Sequence, residues 1–457
     1  MNILLRGGLV VSSVNTKRLD VLISNGKILK IGRHLNDKEA QVVDCSGKLI
    51  FPGFIDAHTH FDLEVCDTVT ADDFSTGTKA AVCGGTTTIV DFATQNKGET
   101  LSHALNNWHL KAFSKSSCDY AFHMAISDWN ERVKEEIAAM FEQGVTSFKV
   151  YMTYDAMMLS DEEIFDVLST LKKYGGIAGV HCENDGVIKA LTKDYKNNEN
   201  LSATTHPRVR PALCEAEAVD RLISIARIVD VPVVIVHLSS KESLQVVKKH
   251  RENGAVVYVE TCPQYLLLDE SRYEQKGLQS ARFVCSPPLR TKSDNAALWH
   301  ALKNGEIQTV ATDHCSFTLE QKSVGLEDFS KMPNGLPSVE TRPVLMYSYG
   351  VCKRKITLEQ MCKLLSENPA KLYGMYPKKG VIRVGSDADI VIFDPKASGF
   401  ISKNTHHSKS DYTPYEGVHT KGRVDTVYLR GKLVVKNGEV VLENKGKYVK
   451  RAVSDLK

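Results

Sequence analysis

Strand and helix patterns alternate through the middle of this chain, and that alternation limits the possible folds more than any other feature. We predict strands at residues 49–57, 87–92, 120–126, 147–152, 177–181, 233–238, 255–260 and 308–313. Helical patterns lie between most of them, for example at residues 75–83, 129–142, 161–174, 215–229 and 241–252. Eight strands alternating with helices over roughly 320 residues are what a (β/α)8 TIM-like barrel requires. A doubly wound open sheet is the competing layout, but the Gly-rich phosphate turn that usually follows its first strand is missing.

Both ends of the chain have a different texture, rich in β-branched residues. Short strands are predicted at residues 2–12, 18–24, 27–31, 387–393 and 426–436. Asn25-Gly26 and Asn437-Gly438 are strong signals for hairpin turns. We therefore predict an α/β fold, a (β/α)8 barrel at residues 51–375 with a small β-sandwich formed by residues 1–50 and 376–457.

Composition excludes several classes of function. The chain has 457 residues, 42% hydrophobic and 25% charged, which is ordinary for a globular protein. A formal charge of +3 is too small to suggest nucleic acid or an anionic membrane as a partner. No stretch of about 18 apolar residues is present to span a membrane. Eleven cysteines without Cys-x-x-Cys spacing, and an N-terminus interrupted by Arg6, predict free thiols and a cytoplasmic location.

The first predicted barrel strand ends in two histidines one residue apart. Side chains alternate along a strand, so His58 and His60 share one face. Two imidazoles on one face at a strand end are well placed to chelate a metal. A surface histidine pair is the alternative, and for an isolated His-x-His it would be the better interpretation.

Other predicted strands carry polar residues that reach the same rim. His181, His237 and Asp313 end strands five, six and eight, and His314 follows Asp313. Chemistry in a barrel occurs at the carboxyl ends of the strands. One strand-end histidine is more often a hydrogen-bonded packing residue than a ligand. Four of them with an aspartate on one rim are hard to explain by packing, because burying so many polar groups is costly without a cation.

Lys149 lies in the middle of the apolar fourth strand. A lysine there is costly unless its charge is removed or paired. Burial lowers the pKa of the amine and makes it neutral and nucleophilic. The alternatives are a lysine that extends to the rim, or one that pairs with Asp313.

These residues and their surroundings resemble the hydantoinase/dihydropyrimidinase family of the cyclic amidohydrolases. The matching stretches are residues 53–60, 70–74, 77–79, 84–87, 148–154, 181–184, 260–267, 286–290, 312–316, 332–335, 368–371, 385–395 and 405–407. The resemblance implies that Lys149 is carboxylated on its side-chain nitrogen and bridges two Zn²⁺ ions. It further implies that His58, His60 and Asp313 bind one zinc, that His181 and His237 bind the other, and that a hydroxide lies between them.

The same resemblance assigns further roles. Asp313 would carry a proton from the attacking hydroxide to the ring nitrogen, and the Tyr154 phenol would stabilise the oxyanion. Ser286 and Asn334 match positions that hold the flat ureide, although Pro-Asn-Gly alone predicts only a turn. The wall around the exocyclic group of the substrate would include Leu63, Tyr151 and Met158. The cysteines beside these positions are expected to be small packing residues that face away: Cys182, Cys262, Cys285 and Cys315.

The implied reaction is hydrolytic opening of a dihydropyrimidine or hydantoin ring to an N-carbamoyl amino acid. Dihydroorotases usually have an arginine where this chain has Asp62, and allantoinases usually have Pro-Gly-Arg after the histidine pair; both motifs are absent. A non-catalytic assembly relative and a mononuclear deaminase are the other classes. Glu64 and Asp67 depart from the family pattern, and either contact a polar group of the substrate or point into solvent. Family members are commonly homotetramers whose C-terminal tail contacts a neighbour, and we expect the same here.

Overall fold

The computed structural model describes residues 2–198 and 201–456 and contains twenty-one strands and fifteen α-helices in those ranges. The strands, in chain order, are β1 (Asn2–Arg6), β2 (Leu9–Val11), β3 (Thr16–Arg18), β4 (Asp20–Ser24), β5 (Lys27–Gly32), β6 (Ala40–Asp44), β7 (Leu49–Pro52), β8 (Phe54–Thr59), β9 (Glu64–Val65), β10 (Thr68–Val69), β11 (Thr86–Thr94), β12 (Asp119–Ala125), β13 (Ser147–Tyr151), β14 (Ile177–His181), β15 (Val233–Ile235), β16 (Val257–Thr261), β17 (Thr309–Val310), β18 (Ile390–Phe400), β19 (His419–Leu429), β20 (Lys432–Lys436) and β21 (Glu439–Val440). The helices are α1 (Phe74–Cys83), α2 (Leu101–Ala112), α3 (Glu131–Glu142), α4 (Asp161–Tyr174), α5 (Asp185–Asn197), α6 (His206–Val209), α7 (Ala212–Val229), α8 (Lys241–Glu252), α9 (Pro263–Leu267), α10 (Leu278–Ala281), α11 (Lys292–Lys303), α12 (Leu319–Ser323), α13 (Arg342–Leu345), α14 (Leu358–Cys362) and α15 (Asn368–Leu372).

Eight parallel strands form the central sheet, in the order β8-β11-β12-β13-β14-β15-β16-β17. Every residue of β12 and β13 is buried, as expected for parallel strands with both faces covered. The order follows the chain from strand to strand, which is the topology of a (β/α)8 barrel. The predicted fold class is therefore confirmed.

The first and last barrel strands meet at a seam that a buried arginine holds together. Arg342 is fully buried, and its guanidinium donates to the backbone oxygens of Ile55 at 2.8 Å and Val310 at 2.9 Å. It also donates to Thr86 Oγ1 at 3.1 Å. Further hydrogen bonds cross the seam: the His60 N–H donates to the His314 carbonyl at 2.8 Å, and Thr312 donates from N–H and Oγ1 to the Asp56 carboxylate at 3.1 Å and 2.7 Å. The barrel is thus closed at this seam largely by side chains rather than by a strand ladder.

The surrounding helices have the start and stop signals that the sequence predicts. In α4, Ser160 and Glu163 form a capping box, and Gly175 ends the helix in a left-handed conformation with φ 70°. One face of α4 is buried, with apolar residues spaced three or four apart: Ile164, Val167, Leu168 and Leu171. Helices α4 and α8 and strand β14 have the predicted bounds.

Both chain ends build the small β-domain. A seven-stranded sheet has the order β21-β20-β19-β18-β7-β2-β3, so strands from both ends pair within it, and a second sheet has the order β5-β4-β1-β6. The Asn25-Gly26 and Asn437-Gly438 hairpins are confirmed, with φ values of 48°, 75°, 57° and 86° respectively. The division at residues 50 and 375 stays a prediction.

The expected single strand at residues 49–57 is in fact two strands. β7 belongs to the small sheet, and β8 begins the barrel after Gly53. A Cβ atom at Gly53 would lie 2.0 Å from Thr87 Oγ1, so the chain passes too close to its neighbour for any larger residue.

The C-terminal segment packs against the barrel of its own chain. Arg451 is buried and donates to Ser147 Oγ at 2.7 Å and to the carbonyl of Phe122. The ring of Tyr448 stacks on that of Phe122, with centroids 5.7 Å apart. None of the described helices combines the length and the apolar character needed to cross a membrane.

Candidate active site

A cavity of about 780 Å³ opens where the carboxyl ends of the barrel strands meet. Eleven of the twelve residues predicted for the site line it: His58, His60, Leu63, Lys149, Tyr151, Tyr154, His181, His237, Ser286, Asp313 and Asn334. The twelfth, Met158, is not among the lining residues, and Met157 lies there instead. Met158 pairs its backbone with Tyr151 in an isolated β-bridge. The fold thus brings residues from position 58 to position 334 to one place.

Four imidazoles and one carboxylate form the floor of this cavity. The ring centres of His58 and His60 are 5.2 Å apart, those of His58 and His237 5.4 Å, and those of His181 and His237 4.6 Å. Asp313 Oδ1 lies 3.2 Å from Nε2 of both His58 and His60. These three residues each offer a ligand atom within 4.8 Å of the others, so they form a candidate metal-binding group.

Burial sets the protonation state of the floor. It lowers the pKa of His60 to about 4 and that of His237 well below its usual value. Burial opposes ionisation of Asp313, but the neighbouring His58 outweighs it, so the pKa of this carboxyl lies well below its ordinary range. Burial also opposes a charge on His58, but Glu260 and Asp313 outweigh it, so the pKa of this imidazole is raised. A metal cation binds the neutral imidazole and the ionised carboxylate, so binding would displace any proton on His58.

Two buried glutamates orient the rings of two of the histidines. Glu260 Oε1 lies 2.6 Å from His58 Nδ1, and Glu183 Oε2 lies 2.7 Å from His181 Nε2. The opposite nitrogen of His58, Nε2, faces Asp313, and like Nδ1 of His237 it is buried and makes no hydrogen bond within the described part of the chain. Carboxylates that hold the outer nitrogen of a ligand histidine are usual around metals. Neither glutamate was among the predicted site residues, although each lies at or just beyond a strand end.

Lys149 lies among these groups without a counter-ion. Its side chain is 1% exposed, which excludes an extension to the rim, and no described carboxylate lies within ion-pairing distance of its Nζ. Nζ is 5.3 Å from the ring centre of Phe92 and 5.1 Å from that of Tyr151. Burial lowers the pKa of the amine to about 8. A sizeable fraction is therefore neutral near physiological pH, which suits reaction with an electrophile.

Three of the site residues have left-handed backbones: His237 with φ 39°, Asp313 with φ 52° and Tyr154 with φ 74°. This region is uncommon for residues with a Cβ and clusters at functional sites. The Tyr154 N–H donates to Asp185 Oδ1 at 3.3 Å, which helps to hold its turn. Burial raises the pKa of the Tyr154 phenol, so the hydroxyl stays protonated and able to donate.

Polar atoms on the walls are also left open. Ser286 Oγ and Asn334 Oδ1 are buried and have no hydrogen-bond partner in the described structure. Both residues line the cavity. Buried polar atoms in native proteins are nearly always paired, so these two are suited to a bound polar ligand.

The outer wall agrees with one expectation and departs from another. Val65 and Cys66 line the cavity, whereas Glu64 and Asp67 are exposed and do not. The solvent-facing interpretation of the two acidic residues therefore agrees with the structure. All four cysteines named above are buried, but Cys315 lines the cavity instead of facing away. Burial raises the pKa of its thiol well above the usual value, so it is not a ready thiolate.

Known proteins resemble this chain over its whole length. The amidohydrolase family profile matches residues 49–434. A D-hydantoinase from Geobacillus stearothermophilus is 43% identical over 456 residues, covering 99% of this chain and 97% of that protein. The crystal structure of dihydropyrimidinase from Brevibacillus agri matches with a TM-score of 0.98 and 44% identity over 99% of both chains. An L-hydantoinase from Arthrobacter aurescens, 29% identical, matches 98% of this chain and 99% of its own with a TM-score of 0.91. The chain therefore belongs to the amidohydrolase family and, within it, to the hydantoinases and dihydropyrimidinases.

Proposed function

We propose that this protein hydrolyses a ring C–N bond of 5,6-dihydropyrimidines or 5-substituted hydantoins, giving N-carbamoyl amino acids. One observation carries the proposal: a buried lysine, with no counter-ion among the described residues, lies beside four histidines and an aspartate on one cavity floor. The curated and solved relatives that match over the full length have names in this activity class.

The residues fit a pair of zinc ions. His58, His60 and Asp313 would hold one ion, His181 and His237 the other. Lys149 would bridge them after its neutral amine adds to carbon dioxide, forming a carbamate and releasing one proton. His58 Nε2, 3.2 Å from Asp313 Oδ1, and His237 Nδ1 make no hydrogen bond within the described residues, and they support this assignment because a cation would satisfy both. When bound, the two ions would lower the pKa of a water molecule and polarise the substrate carbonyl.

The side chains of the protein transfer the proton, stabilise the oxyanion and hold the substrate. The Asp313 carboxylate accepts the proton released as water adds to the carbonyl, and it returns that proton to the ring nitrogen as the C–N bond breaks. The Tyr154 hydroxyl donates to the oxygen that becomes negative. Ser286 and Asn334 hold the ureide through their open polar atoms. Leu63, Tyr151 and Met157 line the cavity around the exocyclic substituent, and Met158 stays a prediction.

The position and charge of Asp62 disfavour a dihydroorotate-type substrate. Its Oδ2 accepts the N–H of Phe74 at 3.1 Å, at the start of α1, and Asp62 does not line the cavity. The position that would hold a substrate carboxylate in a dihydroorotase is thus occupied by an acidic residue with a local structural role.

A substrate panel tests the activity. Zinc-loaded protein is incubated with dihydrouracil, dihydrothymine, hydantoin, 5-aryl hydantoins, allantoin and dihydroorotate, and ring opening is followed by ultraviolet absorbance and by the carbamoyl product. We expect turnover of the first four and loss of activity in Lys149→Ala. A protein that takes up no zinc when zinc is supplied, and that opens none of these rings, would favour an assembly protein. Deamination of an exocyclic amine, with full activity in Lys149→Ala, would favour a mononuclear deaminase.

We also propose a cytoplasmic homotetramer. Eleven unpaired cysteines are compatible with a reducing compartment. Exposed apolar side chains such as Leu110, Phe113 and Phe400, 74%, 71% and 69% exposed, are available for burial between subunits. Light scattering coupled to size-exclusion chromatography measures the subunit number, and a monomeric mass would contradict the assembly.

A further inference from the structure

Arg210 reaches the cavity floor from the segment between α6 and α7, and no role follows for it from the proposed chemistry. Its side chain is only 11% exposed, and it lines the cavity. Nη1 donates to Glu183 Oε2 at 2.6 Å. The carbon of the guanidinium lies 5.3 Å from the ring centre of Tyr154.

Glu183 links this arginine to a candidate metal ligand. The same oxygen, Oε2, lies 2.7 Å from His181 Nε2, so a single atom contacts both partners. Glu183 is fully buried, and an isolated carboxylate there would be strongly unfavourable. Arg210 therefore keeps an ionised acceptor beside His181, and the hydrogen bond leaves His181 Nδ1 as the nitrogen available to a cation.

Tyr154 is the second group that Arg210 controls. The phenol ring contacts both the guanidinium and the His181 ring, whose centre is 5.3 Å away in an edge contact at 62°. A cation near an aromatic ring, within about 6 Å of its centre, is attracted to its face. This contact restricts a side chain whose backbone is already in an uncommon left-handed conformation.

Arg210 is itself fixed on its other side. Its carbonyl oxygen accepts a hydrogen bond from Nη1 of Arg290, which is buried. Arg290 also donates from Nε to Ser239 Oγ at 2.9 Å, two residues beyond His237. The guanidinium thus projects from a backbone held in place, as a group that sets the geometry of its neighbours must be.

We propose that Arg210 is a positioning residue that couples the orientation of His181, through Glu183, to that of the Tyr154 phenol. The inference rests on the proposed function for the roles of His181 and Tyr154. Loss of Arg210 would then loosen the metal and misplace the hydroxyl that faces the developing oxyanion, while leaving substrate binding nearly intact.

The experiment compares Arg210→Met and Arg210→Lys with the wild type, using the zinc-loaded protein. Arg221→Met is the matched control, because Arg221 is likewise held by ion pairs, to Asp161 at 2.6 Å and to Glu217 at 3.1 Å, but does not line the cavity. Three quantities are measured for each variant: kcat, KM, and the rate at which zinc passes to a chromogenic chelator. We expect zinc release to be about 10–100-fold faster in Arg210→Met, with a similar fall in kcat. KM should change little, and Arg210→Lys should recover only part of kcat because an ammonium lacks the planar fork.

A double-mutant cycle separates coupling from simple loss of structure. Glu183→Gln removes the shared carboxylate, and the zinc-release effects of Glu183→Gln and Arg210→Met should be strongly non-additive in the double variant. Circular dichroism and melting temperature identify variants that fail to fold. If Arg210→Met is one of them, the comparison uses Arg210→Lys and Glu183→Gln instead.

Two results would overturn the proposal. Wild-type zinc release and kcat in Arg210→Met, with only KM raised, would assign Arg210 to substrate contact. Additive effects in the cycle would show that the two residues act separately. If the wild type opens no ring, the proposed function fails, but the zinc-release measurements still decide whether Arg210 acts through Glu183 on His181.

Discussion

Glu260 Oε1 lies 2.6 Å from His58 Nδ1, and both side chains are buried almost completely. The carboxylate also accepts the backbone N–H of His237 at 3.3 Å, so one oxygen contacts two of the four histidine residues on the cavity floor. His58 is thereby held with Nε2 directed away from Glu260, and that nitrogen has no hydrogen bond within the described structure. Glu260 thus fixes the tautomer and the direction of a candidate ligand.

Replacing Glu260 with glutamine should weaken zinc binding without unfolding the barrel. The glutamine side chain has the same shape but lacks the charge that makes the His58 imidazole a strong metal ligand. We therefore expect zinc affinity to fall about 10–100-fold. Competition with a chelator of known affinity measures it. Glu252→Gln, at the exposed end of α8, is the control and should bind as the wild type does. Equal affinity in Glu260→Gln and the control would show that Glu260 has no such role.

Tyr154→Phe should separate catalysis from metal binding. The substitution removes one hydroxyl that faces the cavity, so kcat should fall roughly 10²–10³-fold, as for other lost oxyanion donors. Zinc content should stay that of the wild type. Tyr174→Phe serves as control, because Tyr174 is 41% exposed and packs on Phe141 outside the cavity. Steady-state kinetics and metal analysis test both points, and an unchanged kcat would remove Tyr154 from the mechanism.

Carboxylation of Lys149 should depend on pH with a definite sign. Burial lowers the pKa of the amine to about 8 against the opposing charge of Asp313, and only the neutral amine adds to carbon dioxide. In metal-free protein, the rate of reactivation by zinc at constant dissolved carbon dioxide should rise with pH and level off above about 8. Stopped assays after zinc addition measure this rate. A rate that is independent of pH, or recovery in carbonate-free buffer, would argue against the modification.

The seam of the barrel should depend on Arg342. Methionine at this position removes donors from the carbonyls of Ile55 and Val310 and leaves Asp56, 3.8 Å away, without its cation. Removing one partner of a buried charged network costs about 3–5 kcal/mol. Urea unfolding of Arg342→Met against Arg227→Met, an exposed control in α7, measures the difference. A change below about 1 kcal/mol, typical of surface substitutions, would contradict this account of closure.

Much of the barrel was predictable from the sequence, because strand and helix periodicities are local properties. The strands β15 and β17 are shorter than predicted for a physical reason. The chain leaves the strand conformation near their carboxyl ends, where His237 and Asp313 take left-handed φ values. Hydrophobic pattern does not encode such a turn. The same limit explains why Met157 lines the cavity and the predicted Met158 does not. Side chains no longer alternate between two faces once β13 has ended at Tyr151.

The site was predictable only in part. The histidines, Lys149 and Asp313 could be placed on one rim because parallel strand ends meet there. Glu260 gave a signal as the last residue of a predicted strand. Arg210 gave none, because its contact with Glu183 joins segments 27 residues apart through a loop. Such contacts depend on how loops fold over the rim, which neither periodicity nor motif spacing specifies.

The most direct test of the two-metal site is to titrate metal-free protein with zinc in the presence of bicarbonate and to measure its activity on dihydrouracil or hydantoin. Two zinc ions shared by six side chains predict that ring opening rises until two equivalents are bound per chain and then stays constant. They also predict that Lys149→Ala never reaches this plateau. Full activity at one equivalent, or an undiminished plateau in Lys149→Ala, would contradict the two-metal site.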